Sequence, residues 1–164
     1  MGAIFDATAT YRYTLWRAWE QGNSRLCFIL LNPSTADATQ NDPTIRRCLG
    51  FARSWGFASL EVVNLFAYRA TDPLQLRQVQ DPIGAENDQY LMQAIGRSQR
   101  TILAWGNRGT WKNRHQAVLE LLSPNQAAYC LGLTQIGQPR HPLYTKSNIQ
   151  PQRLAWRLEF ATKA

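Results

Sequence analysis

Four short apolar runs constrain this chain more than any other feature. Residues 25–31 (RLCFILL), 60–66 (LEVVNLF), 101–105 (TILAW) and 127–133 (AAYCLGL) are nearly continuous in apolar side chains. Runs of this length without alternation predict strands covered on both faces. Helical spacing fills the intervals between them. Residues 43–55 place Ile45, Cys48, Leu49, Ala52 and Trp55 on one stripe. Asp42 is a good N-cap there, Pro43 suits the first turn, and Gly56 stops the helix. Residues 85–98 turn Leu91, Met92 and Ile95 inward, and residues 113–122 turn Val118, Leu121 and Leu122 inward. The Thr-, Tyr- and Trp-rich stretch 8–20 predicts one more strand, paired as a hairpin with 25–31 through Gln21, Gly22, Asn23 and Ser24. A short last helix is expected over 153–160.

The order ββαβαβαβ predicts an α/β fold with right-handed crossovers. The expectation is a three-layer sandwich with a central, mainly parallel four-stranded sheet and an N-terminal antiparallel edge strand. One α/β domain is expected over 1–164. The 164 residues are 45% hydrophobic, enough for one core and too apolar for a disordered chain. No apolar run reaches the roughly 18 residues of a membrane span, so no membrane partner is expected. The start MGAIFDATAT has neither the basic nor the apolar region of a secretory signal. Cys27, Cys48 and Cys130 are isolated in apolar runs, as buried thiols in a reducing compartment would be. A cytoplasmic location is the expectation that follows.

The formal charge of +7 is unevenly placed. Residues 1–88 hold 8 cations and 9 anions, net −1, whereas residues 89–164 hold 10 cations and 2 anions, net +8. Of the 18 cations, 15 are Arg, the residue suited to a bidentate grip on phosphate or carboxylate. Nucleic acid or a nucleotide is therefore a candidate partner, and a basic surface that aids solubility is the alternative.

Parallel sheets place their ligands beyond the carboxyl ends of the strands. Asn32, Pro33, Ser34, Thr35 and Asp37 follow the first apolar run. Asn64, Tyr68, Arg69 and Asp72 follow the second, and Trp105, Gly106, Asn107 and Arg108 the third. Arg140, His141 and Tyr144 follow the fourth. Four polar loops are thus expected on one rim. No GxGxxG, GxxxxGK[ST] or GxSxG pattern is present, and His115 and His141 lack metal-ligand spacing, so no cofactor or metal is expected. His115 reads as a structural helix residue.

The segments LLNPSTAD at 30–37, NDPT at 41–44, VVNLFAYRATDP at 62–73, AWGNRG at 104–109 and QPRHPLY at 138–144 closely resemble a bacterial and phage family known as domain of unknown function 1643. A more distant similarity links three of these motifs to the uracil-DNA glycosylase superfamily. Asn32-Pro33-Ser34 after a core strand resembles its water-positioning motif, Val62-Val63-Asn64 its base-reading motif, and Arg140-His141-Pro142 its last loop. Leu30 and Leu31 stand where that superfamily has glycine, and Leu143 stands where it has serine.

The resemblance implies cleavage of an N-glycosidic bond, a hydrolase activity. Such a site needs a positioned water, a donor to the departing base and a reader of the base edge. On this expectation Asn32 orients the water, His141 stabilises the leaving base and Asp37 is an alternative base. Asn64 reads the base edge, with Asn107 beside it on the rim. Tyr68, Trp105 or Tyr144 stacks on the base, and Arg69, Arg108 and Arg140 hold phosphate. Two other readings stand beside it: a non-catalytic nucleic-acid or nucleotide-binding module, and an enzyme acting on a small phosphorylated metabolite.

Overall fold

The apolar runs become the middle of one sheet. The computed structural model describes residues 1–155. Its strands are β1 (Gly2–Phe5), β2 (Arg12–Ala18), β3 (Arg25–Leu30), β4 (Ser59–Asn64), β5 (Arg100–Leu103), β6 (Ala128–Cys130) and β7 (Gln152–Arg153). Its helices are α1 (Pro43–Ser54), α2 (Asn87–Arg97) and α3 (Arg114–Leu119), with 3-10 segments at Pro73–Gln78, Asn107–Asn113 and Pro142–Tyr144. The fold is α/β, and its seven strands form one mixed sheet in the order β1-β2-β4-β3-β5-β6-β7. β3 runs parallel to β4 and to β5, and β5 runs parallel to β6. The pairs β1–β2, β2–β4 and β6–β7 are antiparallel.

The expected sheet therefore needs three corrections. The sheet has seven strands, not four plus an edge strand. β2 pairs with β4, not with β3, because residues 19–24 pass over the start of β4. Trp19 and Glu20 donate backbone N–H groups to Ala58, and Ala58 donates to the Ser24 carbonyl. The N-terminal edge belongs to β1, where Gly2 lies against the Trp16 ring, so close that a Cβ there would sit 2.4 Å from it. Of the helix expected over 153–160, Arg153 belongs to β7 instead, and residues 156–160 lie outside the described residues.

Helix α1 forms as its sequence predicts. Asp42 Oδ1 accepts from Ile45 N–H at 2.9 Å, and Pro43 occupies the first turn. Helix α3 is shorter than its pattern suggests, starting at Arg114 and ending at Leu119. Lys112 and Asn113 adopt left-handed backbone, with φ of 53° and 54°, and set the helix start at Arg114.

Alternation still sorts the apolar strands between two faces. Cys27, Ile29, Val63 and Leu103 pack on the side of α2 and α3. Leu26, Phe28, Val62 and Ile102 pack on the side of α1, where Phe28, Phe51 and Trp55 stack. Glu61 on β4 is the exception within the sheet. Fully buried, its carboxylate accepts from Thr14 at 2.7 Å and from Arg25 at 3.0 Å, and it pairs with Arg97. All three cysteines are buried, and no disulfide joins them. Among the described residues, no helix is long and apolar enough to cross a membrane.

Candidate functional site

A cavity of about 730 Å³ opens at the carboxyl ends of β3, β4, β5 and β6. Each parallel strand contributes one loop. Leu31 and Asn32 follow β3, Ala70 and Thr71 follow β4, Trp105 to Arg108 follow β5, and Thr134 to Tyr144 follow β6. The amino end of α1 closes one side with Asp42, Pro43 and Thr44.

Asn32 is held in one orientation. Its Nδ2 donates to the carbonyls of Pro33 at 2.9 Å and Ala70 at 2.8 Å. Two carbonyl neighbours require the nitrogen on that side, so the amide oxygen is the atom left to accept. Ala70 N–H in turn donates to the Pro33 carbonyl. The loop after β3 and the loop after β4 are thereby tied at the cavity wall.

His141 is fixed by its own turn. Its Nδ1 accepts from Leu143 N–H at 3.3 Å, which leaves the proton on Nε2 in the neutral ring. Burial pushes its pKa below the ordinary value of 6.5, while the negative charge of Asp42 acts in the opposite direction. Burial thus favours the neutral ring, which presents Nε2–H as donor. Arg47 on α1 secures the same turn from below. It donates to the Pro142 carbonyl at 3.3 Å and to the Thr145 carbonyl.

The floor is rigid. Trp105 is 1% exposed, and its Nε1 donates to Gln138 Oε1 at 3.0 Å. Gly109 lies against that ring so closely that a Cβ would meet Trp105 at 2.1 Å. Gly106 has φ of 74°, which favours glycine, and its N–H donates to the Pro139 carbonyl at 2.7 Å. The loops after β5 and β6 are thus joined beneath the opening.

Seven expected site residues lie on this wall: Asn32, Trp105, Asn107, Arg108, Arg140, His141 and Tyr144. Four others do not, and each has a physical reason. Asn64 ends β4 fully buried; its register with Leu30 puts its side chain in the layer between the sheet and α1, and it does not line the cavity. Neither of its amide atoms has a hydrogen-bond partner. Asp37 caps its own loop, its Oδ1 accepting from the N–H groups of Thr39 and Gln40 at 2.9 and 2.7 Å. Those backbone bonds hold its pKa below the usual value. Tyr68 packs edge-on against Tyr11, and Arg69 lies 4.9 Å over the Phe5 ring and donates to the Ala9 carbonyl. Both are drawn to the β1–β2 edge. Ser34 is on the wall, and His115 is buried on α3.

Two supporting residues escape the sequence reading. Buried Arg12 donates to the Ala36 carbonyl at 2.9 Å, and Asp42 Oδ2 accepts from Ala36 N–H at 3.3 Å. Arg17 grips the Asp37 and Gln40 carbonyls and Asn41 Oδ1. Two arginines of one strand thus brace the loop that begins at Asn32. The available signal was charge at inward positions of a strand, where charge is rare unless paired.

Fold and site together define an α/β protein with a mixed sheet and a cavity at its carboxyl rim bordered by polar and cationic side chains. A family model described as "Protein of unknown function (DUF1643)" matches residues 12–143. The chain belongs to this family. The matched span contains every wall residue named above except Tyr144. No curated protein and no solved structure matches the chain.

Proposed function

We propose that the protein binds a nucleotide-type ligand in the rim cavity and hydrolyses its N-glycosidic bond. The observation that carries this reading is the orientation of Asn32, whose nitrogen is engaged by two carbonyls while its oxygen remains an open acceptor. A water donating to that oxygen is directed toward the sugar carbon. As the carbon–nitrogen bond breaks, its electron pair goes to the base and positive charge grows on the sugar. Water adds through its oxygen, and its proton leaves for the departing base or the solvent. Asn32 orients the water but takes no proton. His141 donates through Nε2–H to the base as negative charge develops there. Exposed Tyr144 on the wall offers a ring on which a base can stack, whereas Trp105 is buried in the floor beneath it. The similarity to the uracil-DNA glycosylase superfamily supports the roles of Asn32 and His141. Base-edge reading falls to the wall residues, because Asn64 is sealed in the packed layer.

One observation favours a second reading, binding without hydrolysis. Asp42 supplies the only carboxylate among the described wall residues, and both its oxygens accept backbone N–H groups. The site therefore holds no uncommitted general base. The deciding experiment incubates the protein with nucleosides, nucleotides, DNA and RNA carrying normal and modified bases, and measures released base by mass spectrometry. Release that disappears in Asn32→Ala and His141→Ala is the expected result. Binding without release, unchanged by Asn32→Ala, selects the second reading.

A further inference from the structure

One side of the cavity is built almost wholly from donors. A relay sets their direction. Gln138 N–H donates to Thr134 Oγ1 at 3.1 Å, and Thr134 Oγ1 donates to Asn107 Oδ1 at 2.5 Å. Engaging that oxygen turns Asn107 into a donor, because Nδ2 is the atom left over. Arg140 is aimed in the same way. Its Nε donates to the Leu133 carbonyl at 3.0 Å, one residue before Thr134, so its outer two nitrogens remain for a ligand. Arg108 follows Asn107 directly in the chain and lines the same cavity. Neither Arg108 nor Arg140 has a carboxylate partner among the described residues. The amino end of α1 presents Pro43 and Thr44 to the same space, its positive dipole end already offset by the capping carboxylate of Asp42.

From this arrangement we infer that Asn107, Arg108 and Arg140 form a subsite for a phosphate monoester, so that the ligand is a single phosphorylated nucleotide and not a polymer. The inference rests on the reading of the cavity as a nucleotide site and narrows it. Acceptor count separates the two ligand types. A guanidinium binds phosphate best through two parallel N–H···O bonds. Two such forks and an amide need several acceptor lone pairs. A monoester offers three terminal oxygens and close to two negative charges. A diester offers two non-bridging oxygens and one charge, and leaves one fork unmatched. Two unpaired arginines are also an unfavourable concentration of like charge, which a dianion neutralises and a monoanion does not.

Calorimetric titration of the whole chain tests the inference. The probes are inorganic phosphate, a nucleoside, the matching nucleoside 5′-monophosphate and a short single-stranded oligonucleotide. The monophosphate is expected to bind roughly 10- to 100-fold tighter than the nucleoside, the range for charge-assisted bonds. Inorganic phosphate should compete with it. Arg108→Ala and Arg140→Ala should each remove most of that advantage while nucleoside binding persists. Arg140→Lys should recover only part, since an ammonium cannot reproduce the fork. Arg53→Ala, on α1 over the Trp19 ring, should change nothing. Equal affinity for nucleoside and monophosphate overturns the inference, as does an oligonucleotide that outcompetes the monophosphate with steep salt dependence, or no monophosphate binding at all. Base release is scored separately. A monophosphate advantage without released base keeps the subsite and removes the hydrolytic reading. Release from nucleosides that ignores both arginines does the reverse.

Discussion

Arginine appears twice in this protein in opposite circumstances. At β4, Arg25 and Arg97 converge on the buried carboxylate of Glu61, and Thr14 completes its bonding. At the rim, Arg108 and Arg140 form no ion pair among the described residues, and the one carboxylate on the cavity wall, Asp42, is engaged by backbone N–H groups. The first region is closed: its charges cancel inside the sheet and nothing is left to bind. The second is open: Arg140 is aimed by the Leu133 carbonyl, and neither arginine pairs with a carboxylate among the described residues. The contrast teaches where to look for function in a basic protein. Net charge is uninformative, and unsatisfied charge at a concave surface is informative.

The largest expected effect comes from opening the closed region. Removing both cations in Arg25→Ala with Arg97→Ala leaves a buried carboxylate with only Thr14. The expected cost is about 3–5 kcal/mol in urea unfolding. A loss below about 1 kcal/mol would mean that Glu61 is solvated and that the contrast between the two regions fails. Acid provides the same test with a defined sign. Burial pushes the Glu61 pKa up, but the bonds from Arg97 and Thr14 and the charge of Arg97 outweigh it and hold the group below its ordinary value of 4.5. Its contribution is therefore complete above pH 4.5 and is lost as pH falls below that value. Glu61→Gln should flatten this acid limb.

A smaller effect should follow from deforming the open region. Gly109→Ala places a Cβ inside the Trp105 ring and forces the floor to move, at an expected cost of about 1–3 kcal/mol. Near-ultraviolet circular dichroism should change with it, and monophosphate affinity should fall. Unchanged affinity would separate the floor from the ligand. The smallest effect is electrostatic. Asp42→Asn keeps a good cap on α1 but removes the negative charge that opposes the burial of His141. The His141 pKa, already below 6.5, should fall further in a proton NMR titration. An upward shift would show that Asp42 does not act on His141 through its charge.

The parts of this fold that were legible in the sequence are those with local causes. The runs that became β3, β4, β5 and β6 are apolar on both faces, and Asp42 with Pro43 marks the start of α1 through bonds within a few residues. β1 and β7 were not legible, since four and two residues at the sheet edges carry no period. The partner of β2 was misread because residues 21–24 have turn chemistry that suits a hairpin, whereas the competition between β3 and β4 for that edge is decided by long-range packing. Seven rim residues could be placed from a topological rule alone. Asn64 could not, because knowing that a residue ends a strand does not say which face it takes. Tyr68 and Arg69 were misplaced for want of β1, whose Phe5 and neighbouring Tyr11 attract them.

The insertion of β4 between β2 and β3 also dictates the order in which the chain can assemble. A nascent polypeptide leaving the ribosome presents β2 and β3 early, yet neither can complete its ladder with the other. Ala18 must wait for Ser59, and Arg25 must wait for the same residue on the opposite side of the incoming strand. Until β4 emerges, Leu15, Leu26 and Phe28 have no sheet to bury them, and the unpaired edges are open to other chains. Once it does, one strand can pair with both β2 and β3. A pause in synthesis placed before β4 is therefore expected to raise the fraction of emerging protein lost to aggregation.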